Sequence, residues 1–446
     1  MQYSDLKSSA DIAFSTRRRG LANFLAALPL VALIFTGPGL AEEITVVTAY
    51  PEEVSGLFLK TFEATHPDIS VHLLWQQGRD AYRLLSAKDH GGVDVYWAAS
   101  SDNFPHLRAE GAFQKLDIVR TQLPGAIGED HLSDPEGYYE AFEIAGYGLA
   151  FGTQALWKGK APPQTWHAAA QPALAGKIIM PNAGKVGFAP SLYEIILQGE
   201  GWEKGWALLS EIGSNAVLSA QGHAMHPLIE GKAALAMTID FVPLTAAANG
   251  EAVAIAYPRR TAFLPAHVAL LQGAPHAEAA RVFIAFLLSR EGQKLLLQPD
   301  VGRHPVRPDA YPDDPSVQNP FRLPASTLLP FDHALGGARR TLVARLFEEL
   351  IAKDHEALQD LWQKIHAAEA DLQQKPDPIR KARIEEARHL AGFVPVGATE
   401  AEDKAYLARV DWPPKSGSDD LGEGWAKTIR EARGKALSLL ETPVAP

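Results

Sequence analysis

The run from Val93 to Phe113, VDVYWAASSDNFPHLRAEGAF, constrains what this chain can fold into more than any other stretch. Val93, Val95 and Trp97 alternate with Asp94 and Tyr96 on a segment rich in β-formers, which predicts a short strand. The strand breaks at Ala98-Ala99-Ser100-Ser101. Asp102 then stands where it can cap a helix that carries Phe104, Leu107 and Arg108 and stops at Gly111. Such a unit places two hydroxyls and several free backbone N–H groups at the carboxyl end of a strand. In open α/β sheets that is where ligands bind. The rest of the chain is therefore expected to build a cleft around this turn.

Two units of the same kind precede it. Ile44 to Thr48 reads as a buried strand, and Pro51 suits the first turn of a helix striped by Val54, Leu57, Phe58 and Phe62 and ended by His66-Pro67. Ile69 to Trp75 reads as a second strand, leading through Gln76 to Asp80 into a helix with Tyr82, Leu84 and Leu85. Three strand–turn–helix units in succession argue for a parallel, doubly wound sheet. After Leu116 the pattern changes. Glu143 to Phe151, EIAGYGLAF, is a glycine-punctuated extended run that reads as a crossover strand into a second lobe. There, strands are expected at Gly176–Met180, Ala216–Ser219 and Ala233–Ile239, and the first ends in the turn Pro181 to Gly187. Val253–Tyr257 and Val268–Leu271 read as strands returning to the first lobe, followed by helices at Ala277–Leu288 and Glu291–Leu297. Asp300 to Pro330 is rich in proline and reads as a wrapping linker. Beyond it, Leu342, Leu346 and Leu350, flanked by Val343, Phe347 and Ile351, lay down a two-sided helical stripe. So broad a stripe favours packing against the lobes over a partner surface.

The expected fold is therefore α/β: two doubly wound lobes joined by extended crossover strands, with a C-terminal helical extension. The boundaries read as 42–145 for the first part of lobe 1, 146–262 for lobe 2 and 263–303 for the return to lobe 1. Residues 304–336 form the proline-rich linker and 337–446 the helical extension.

Residues 1–41 read as a secretory signal: Arg17, Arg18 and Arg19 precede an apolar run from Leu21 to Phe35, and Gly39-Leu40-Ala41 offers a small-residue cleavage site. A membrane anchor is the alternative, but the run is short for one and contains Pro29. The address is thus periplasmic. Cysteine is absent from all 446 residues, which removes disulfides, thiolate nucleophiles and Cys metal sites. The formal net charge of −11 is a poor match for nucleic acid, and 46% hydrophobic residues supply ample core. No G-x-S-x-G or comparable nucleophile signature occurs, so no enzyme is expected. An exported phosphoester hydrolase is the remaining catalytic alternative, with no metal-ligand cluster to support it.

From Ile44 to about Arg303 the chain resembles the type 2 periplasmic solute-binding proteins of the ferric-iron-binding class. The resemblance rests on TAYPEE, VDVYWAASSDNFPHLRAEG, GKIIMPNAG, LIEGKAALAMTID and AARVFIAFLLSREGQKLL in the expected order. Within the class, TAYPEE, ASSDNF, GWEKGWALL and the long helical tail are most similar to the phosphoglycerate transport regulatory group, with hexose-phosphate and phosphonate binders next. The resemblance implies capture of a small anionic solute in the periplasm. Its partners would be an ABC permease in the inner membrane or the periplasmic domain of a sensor kinase. A monomer without a cofactor is expected.

Candidate ligand residues follow. Ser100 and Ser101 sit where the family's third-strand loop touches ligand, the alternative being an ordinary N-cap. Arg79, after the second strand, has a planar fork suited to phosphate, and Lys185, in the Gly184–Gly187 turn, could close from the opposite side. Either could equally be a solvated surface cation. Tyr50 could donate its hydroxyl, although Glu52 and Glu53 in the same helix's first turn would repel an anion. Ser219, Gln221 and Asp240 end second-lobe strands, where Asp240 either accepts from a ligand or orients backbone. Ferric relatives use a tyrosine pair on lobe two. Here Tyr138-Tyr139 precedes the crossover, which leaves iron as the second reading. His223 and His226 are three apart with no further metal ligands in sequence reach.

Overall fold

Three parallel strands open the first lobe. β1 (Glu42–Thr48), α1 (Glu52–Thr65), β2 (Ile69–Trp75), α2 (Gly78–Leu85), β3 (Val95–Ala98) and α3 (Asn103–Ala109) follow in that order, with β1 paired in parallel to both β2 and β3. This computed structural model describes residues 41–222, 225–315, 317–410 and 419–441, so the leader and His223 lie outside the described residues. Two acidic side chains flank β3. Asp94 is fully buried and accepts the backbone N–H groups of Thr45 and His276 at 2.9 and 2.8 Å. Asp102 occupies the N-cap of α3 but makes no side-chain capping bond.

Short strands β4 (Phe113–Gln114), β5 (Ala126–Ile127) and β6 (Asp130–His131) lead into β7 (Tyr139–Gly152). The second lobe then carries β8 (Ile178–Pro181), α4 (Ala189–Glu200), α5 (Trp202–Ser214), β9 (Ala216–Ser219), α6 (His226–Ile229), β10 (Leu235–Ile239), α7 (Phe241–Ala248) and β11 (Val253–Ala256). The return is made by β12 (Phe263–Leu271), α8 (Ala277–Leu287), α9 (Arg290–Leu295) and β13 (His304–Pro305).

β7 is the seam. Its first part pairs antiparallel with β12 and β13, and its last part with β10 and β11, giving the sheet order β2-β1-β3-β12-β7-β10-β8-β9. The glycines that punctuate it answer to close approach. A Cβ on Gly146 would lie 2.4 Å from the Phe263 ring and 2.8 Å from Asp240 Oδ2, and one on Gly148 would lie 2.3 Å from the Ala256 carbonyl oxygen. Two expectations change here. β11 does not return to the first lobe; it pairs with Leu149–Gly152 on the second-lobe side, and β12 alone returns. The proline-rich run is not wholly a wrapping segment either, since His304 is buried and pairs with β7 through β13.

The first lobe closes its own core: Trp97 meets Phe142 edge-on at 5.2 Å, and Phe62 meets Phe283 at 5.0 Å, so α1 and α8 seal the sheet. The second lobe does not. Its core runs without a break into α10 (His333–Phe347), a π turn at Glu348–Ala352, α11 (His355–Gln374), α12 (Pro378–Ala391), α13 (Ala398–Glu402), α14 (Lys404–Leu407) and α15 (Asp420–Glu441). Tyr193 stacks on Phe347 at 5.0 Å, the Trp202 indole donates to the Val396 carbonyl at 2.7 Å, and Ser210 accepts from Trp362 at 3.0 Å. Both sides of the leucine stripe are buried. Each such fully buried large side chain contributes about 1.5–3 kcal/mol. The extension is the outer layer of the second lobe, as packing of the stripe predicts.

Candidate functional site

A cleft of about 600 Å³ lies between the lobes, and both present strand ends to it. On the first-lobe side, Ala49 and Pro51 follow β1, Gln77 follows β2, and Ala99 to Asp102 follow β3. On the second-lobe side, Lys185 and Gly187 lie in the turn after β8, Ala220 and Gly222 follow β9, and Phe241 follows β10. β8 is parallel to both β9 and β10, as β1 is to β2 and β3, so each lobe aims the carboxyl ends of three mutually parallel strands at one space. Free N–H groups and short polar side chains collect at such ends.

The floor comes from β7, β12 and one arginine. Arg303 donates to Glu143 at 2.5 Å, both buried, and its guanidinium lies 4.3 Å from the Phe241 ring centroid and 5.4 Å from that of Tyr50. Burial pushes the Glu143 carboxyl above its usual range, with Arg303 pulling the other way. Burial and the neighbouring Glu143 charge raise the Tyr50 phenol well above its usual range. A third wall belongs to the helical extension. His333, Gly336, Gly337 and Arg340 of α10 line the cleft. The His333 ring bonds to Asp130 of the first lobe at 2.7 Å, while Asp332 donates its N–H to the Gln198 side chain of the second lobe at 2.8 Å and accepts from that amide through its carbonyl at 3.1 Å.

The structure brings together only some of the residues singled out from sequence. Ser100, Ser101 and Lys185 line the cleft from opposite sides, and Lys185 is exposed. Arg79 lies exposed on the first turn of α2, outside the lining, where its neighbour Gln77 takes part instead. Tyr50 is packed beneath the floor, its ring 4.7 Å from Trp97. Ser219 closes its own turn, donating to the Gln221 carbonyl at 2.7 Å and accepting from the Gln221 N–H at 3.1 Å, so this exposed segment reaches the cleft through Ala220 and Gly222. Asp240 is buried and orients backbone: it accepts from the Gly146 N–H at 2.5 Å and from the Tyr257 hydroxyl at 3.0 Å. Glu52 and Glu53 are exposed on α1 and do not line this cleft. Tyr139 packs on His267 at 4.8 Å, and Tyr138 lies beneath Arg108, both outside the cleft. Among the described residues no group of three or more His, Cys, Asp or Glu is placed to hold a metal ion.

Sequence reasoning missed Glu143 and Arg303, hidden in a run read only as a crossover and in the start of a linker. It also missed Arg340. The one available signal was GGARR at 336–340, small residues ahead of two arginines just before the leucine stripe.

Known proteins share this design. The profile of a family described as bacterial extracellular solute-binding protein matches residues 93–326. The phosphoglycerate transport regulatory protein PgtC of Salmonella typhimurium is 26% identical over 373 residues, which span 83% of this chain and 90% of that one. The apo ferric ion-binding protein A of Pasteurella haemolytica superposes with a TM-score of 0.58 at 16% identity, covering 71% of this chain and 99% of its own. AfuA of Actinobacillus pleuropneumoniae, solved with fructose-6-phosphate bound, superposes with a TM-score of 0.56 at 18% identity, covering 70% and 99%. The fold is thus that of a type 2 periplasmic binding protein, and nearly the whole of each such protein fits within about seven tenths of this chain.

Proposed function

The chain belongs to the bacterial extracellular solute-binding proteins, and from that premise we propose that its cleft captures a small anionic metabolite, most readily a phosphorylated one, in the periplasm. One observation carries the reading: three parallel strands from each lobe end at a cleft lined by Ser100 and Ser101 and by the cations Lys185 and Arg340. Hydroxyls and backbone N–H groups on one wall with cations on the other suit the oxygens of a phosphate or carboxylate. The similarity to a protein named for phosphoglycerate transport supports phosphoglycerates as the first compounds to try, and AfuA adds hexose phosphates. The solute would pass to an ABC permease, or be presented to the periplasmic domain of a sensor kinase, by a protein acting as a monomer. A ligand touching both lobes favours their closure, because the closed state alone gains both sets of contacts.

The test is a thermal-shift screen of the protein without its first 41 residues. The panel comprises phosphoglycerates, hexose phosphates, phosphonates, dicarboxylates and Fe(III), with calorimetry on any hit. A phosphorylated metabolite is expected to give the largest shift, because ligand at 1,000 times its Kd adds about 4 kcal/mol to the folded state. A shift with Fe(III) alone would replace the anion reading with ferric transport on the same fold. Steady turnover of a phosphoester would make the protein a hydrolase.

A further inference from the structure

The helical extension contributes two adjacent arginines with different surroundings. Arg339 is buried: its guanidinium bonds to Glu194 at 3.3 Å, to Glu402 at 3.1 Å and to the Ala401 carbonyl at 3.0 Å, and lies 4.6 Å from the centroid of Trp202. Those contacts fasten α10 to α4 and α13. Arg340 lines the cleft. Its Nη1 donates to the Ser191 hydroxyl at 3.1 Å and its Nη2 to the Gly187 carbonyl, in the same turn that carries Lys185. Its Nε faces Asp102 Oδ2 at 3.8 Å, beyond hydrogen-bond distance, with the two side chains 37% and 44% exposed. Asp102 stands next to Ser101 on the first-lobe loop and, as noted, caps nothing.

This arrangement is unlike a structural ion pair. An exposed pair at that separation is worth little, while a guanidinium fork is matched in geometry to two oxygens of one phosphate. Arg340 reaches across to the loop that holds Ser100 and Ser101, so an anion set between them would touch the first lobe and the extension together. We propose that Arg340 is the anchoring residue for the solute's anionic group, supplied by the extension, and that Asp102 occupies its free side until the solute displaces it. The proposal rests on the anionic-solute reading above. It makes the extension a third wall of the binding site and ties solute recognition to α10.

Titration calorimetry of the chain without its first 41 residues tests it, with 3-phosphoglycerate and fructose-6-phosphate as probes. Arg340→Gln is expected to weaken the bound probe about 10- to 100-fold, the worth of a charge-assisted pair of hydrogen bonds. Arg340→Lys should recover part of that loss, as a point charge without the fork. Asp102→Asn removes the competitor and is expected to tighten binding about two- to fivefold. A thermal melt of each variant separates lost binding from lost folding, and Arg340→Lys keeps the charge should Arg340→Gln melt early. If Arg340→Gln binds within twofold of the parent, the proposal falls. It falls as well if Asp102→Asn weakens binding as much as Arg340→Gln, because Arg340 would then serve only to tie the loop to the extension. The underlying reading is checked in the same series. A parent that binds neither probe and responds to Fe(III) overturns both. A parent that binds, and loses affinity when Ser100 and Ser101 become Ala but not when Arg340 becomes Gln, overturns the Arg340 assignment alone.

Discussion

The two lobes solve the same problem with different material. The first seals its sheet with α1 and α8, and its aromatic core around Trp97 draws on residues up to Val301. The second leaves α4 and α5 half covered by its own chain and borrows α10, α11, α12 and α15 to finish the layer. The same α/β plan can therefore be closed locally or by an appended bundle, and in the second case the bundle is part of the domain's core. The bonds bear this out in detail: Ser210 donates to the Ala391 carbonyl at 2.9 Å, and a Cβ on Gly392 would lie 2.6 Å from that of Ala207.

The largest way to break the contrast is to delete residues 333–446. The second-lobe core would lose Phe347, Trp362 and Trp425 at once and expose the faces of α4 and α5. We expect the truncated chain to move to the insoluble fraction, and a soluble product with native near-ultraviolet dichroism would mean that the lobe closes by itself. Next come single core residues. Trp97→Ala in the first lobe and Trp362→Ala in the extension should each cost about 3–5 kcal/mol in urea unfolding. Because β7 runs through both half-sheets, both variants should move one shared transition. Two transitions, each answering to one variant, would make the lobes independent.

Burial of titratable groups sharpens the comparison in opposite directions of pH. His267 of the first lobe is fully buried, bonded to the Leu132 carbonyl at 2.7 Å, and pushed down to about 4 from 6.5 by that burial. The unfolded chain takes up the proton first, so this contribution is complete above pH 6.5 and is lost as pH falls toward 4. Glu194 of the second lobe is pushed up to about 7 from 4.5 by burial, which outweighs the pull of Gln198 and Arg339. Its contribution is complete below pH 4.5 and is lost as pH rises through about 7. Each term is of order 3 kcal/mol. Melts across this range should show His267→Leu flattening the acid limb and Glu194→Gln the opposite one. The smallest effects are caps. Ser289 accepts from the Gly292 N–H at 3.0 Å in the first lobe, and Asp377 accepts from Ile379 and Arg380 at 2.8 and 3.1 Å in the extension. Alanine at either should cost about 1 kcal/mol by urea titration. A much larger loss at Asp377 would mark α12 as the weak point of the outer layer.

What the sequence reveals and conceals follows from the range of the forces involved. β2 and β9 were legible to the residue, because β-branched runs bounded by turn residues depend on local preferences. The pairing of β11 was not, since an apolar run states that it is buried without naming its neighbour. Asp102 looked like a cap for the same reason: the rule weighs three residues, while the partner it faces is Arg340, on another element. The cleft was legible as far as strand ends go, which put Ser100, Ser101 and Lys185 in its lining. Arg79 satisfied the same positional rule, but a position along the chain does not fix where a side chain points on a helix's first turn. Arg340 was hidden by distance along the chain. A leucine stripe declares one face of α10 apolar and is silent about what its other residues meet.

The place of β12 between β3 and β7 has a consequence for the order in which the molecule can be assembled. Trp97 pairs with Val268, so β3 has no neighbour on that side until most of the second lobe has been synthesised. A growing chain carries an open sheet edge throughout that interval, and an open edge is a template for pairing with other chains. Contacts that distant in sequence also form slowly. The length of the exposure is set by chain order alone.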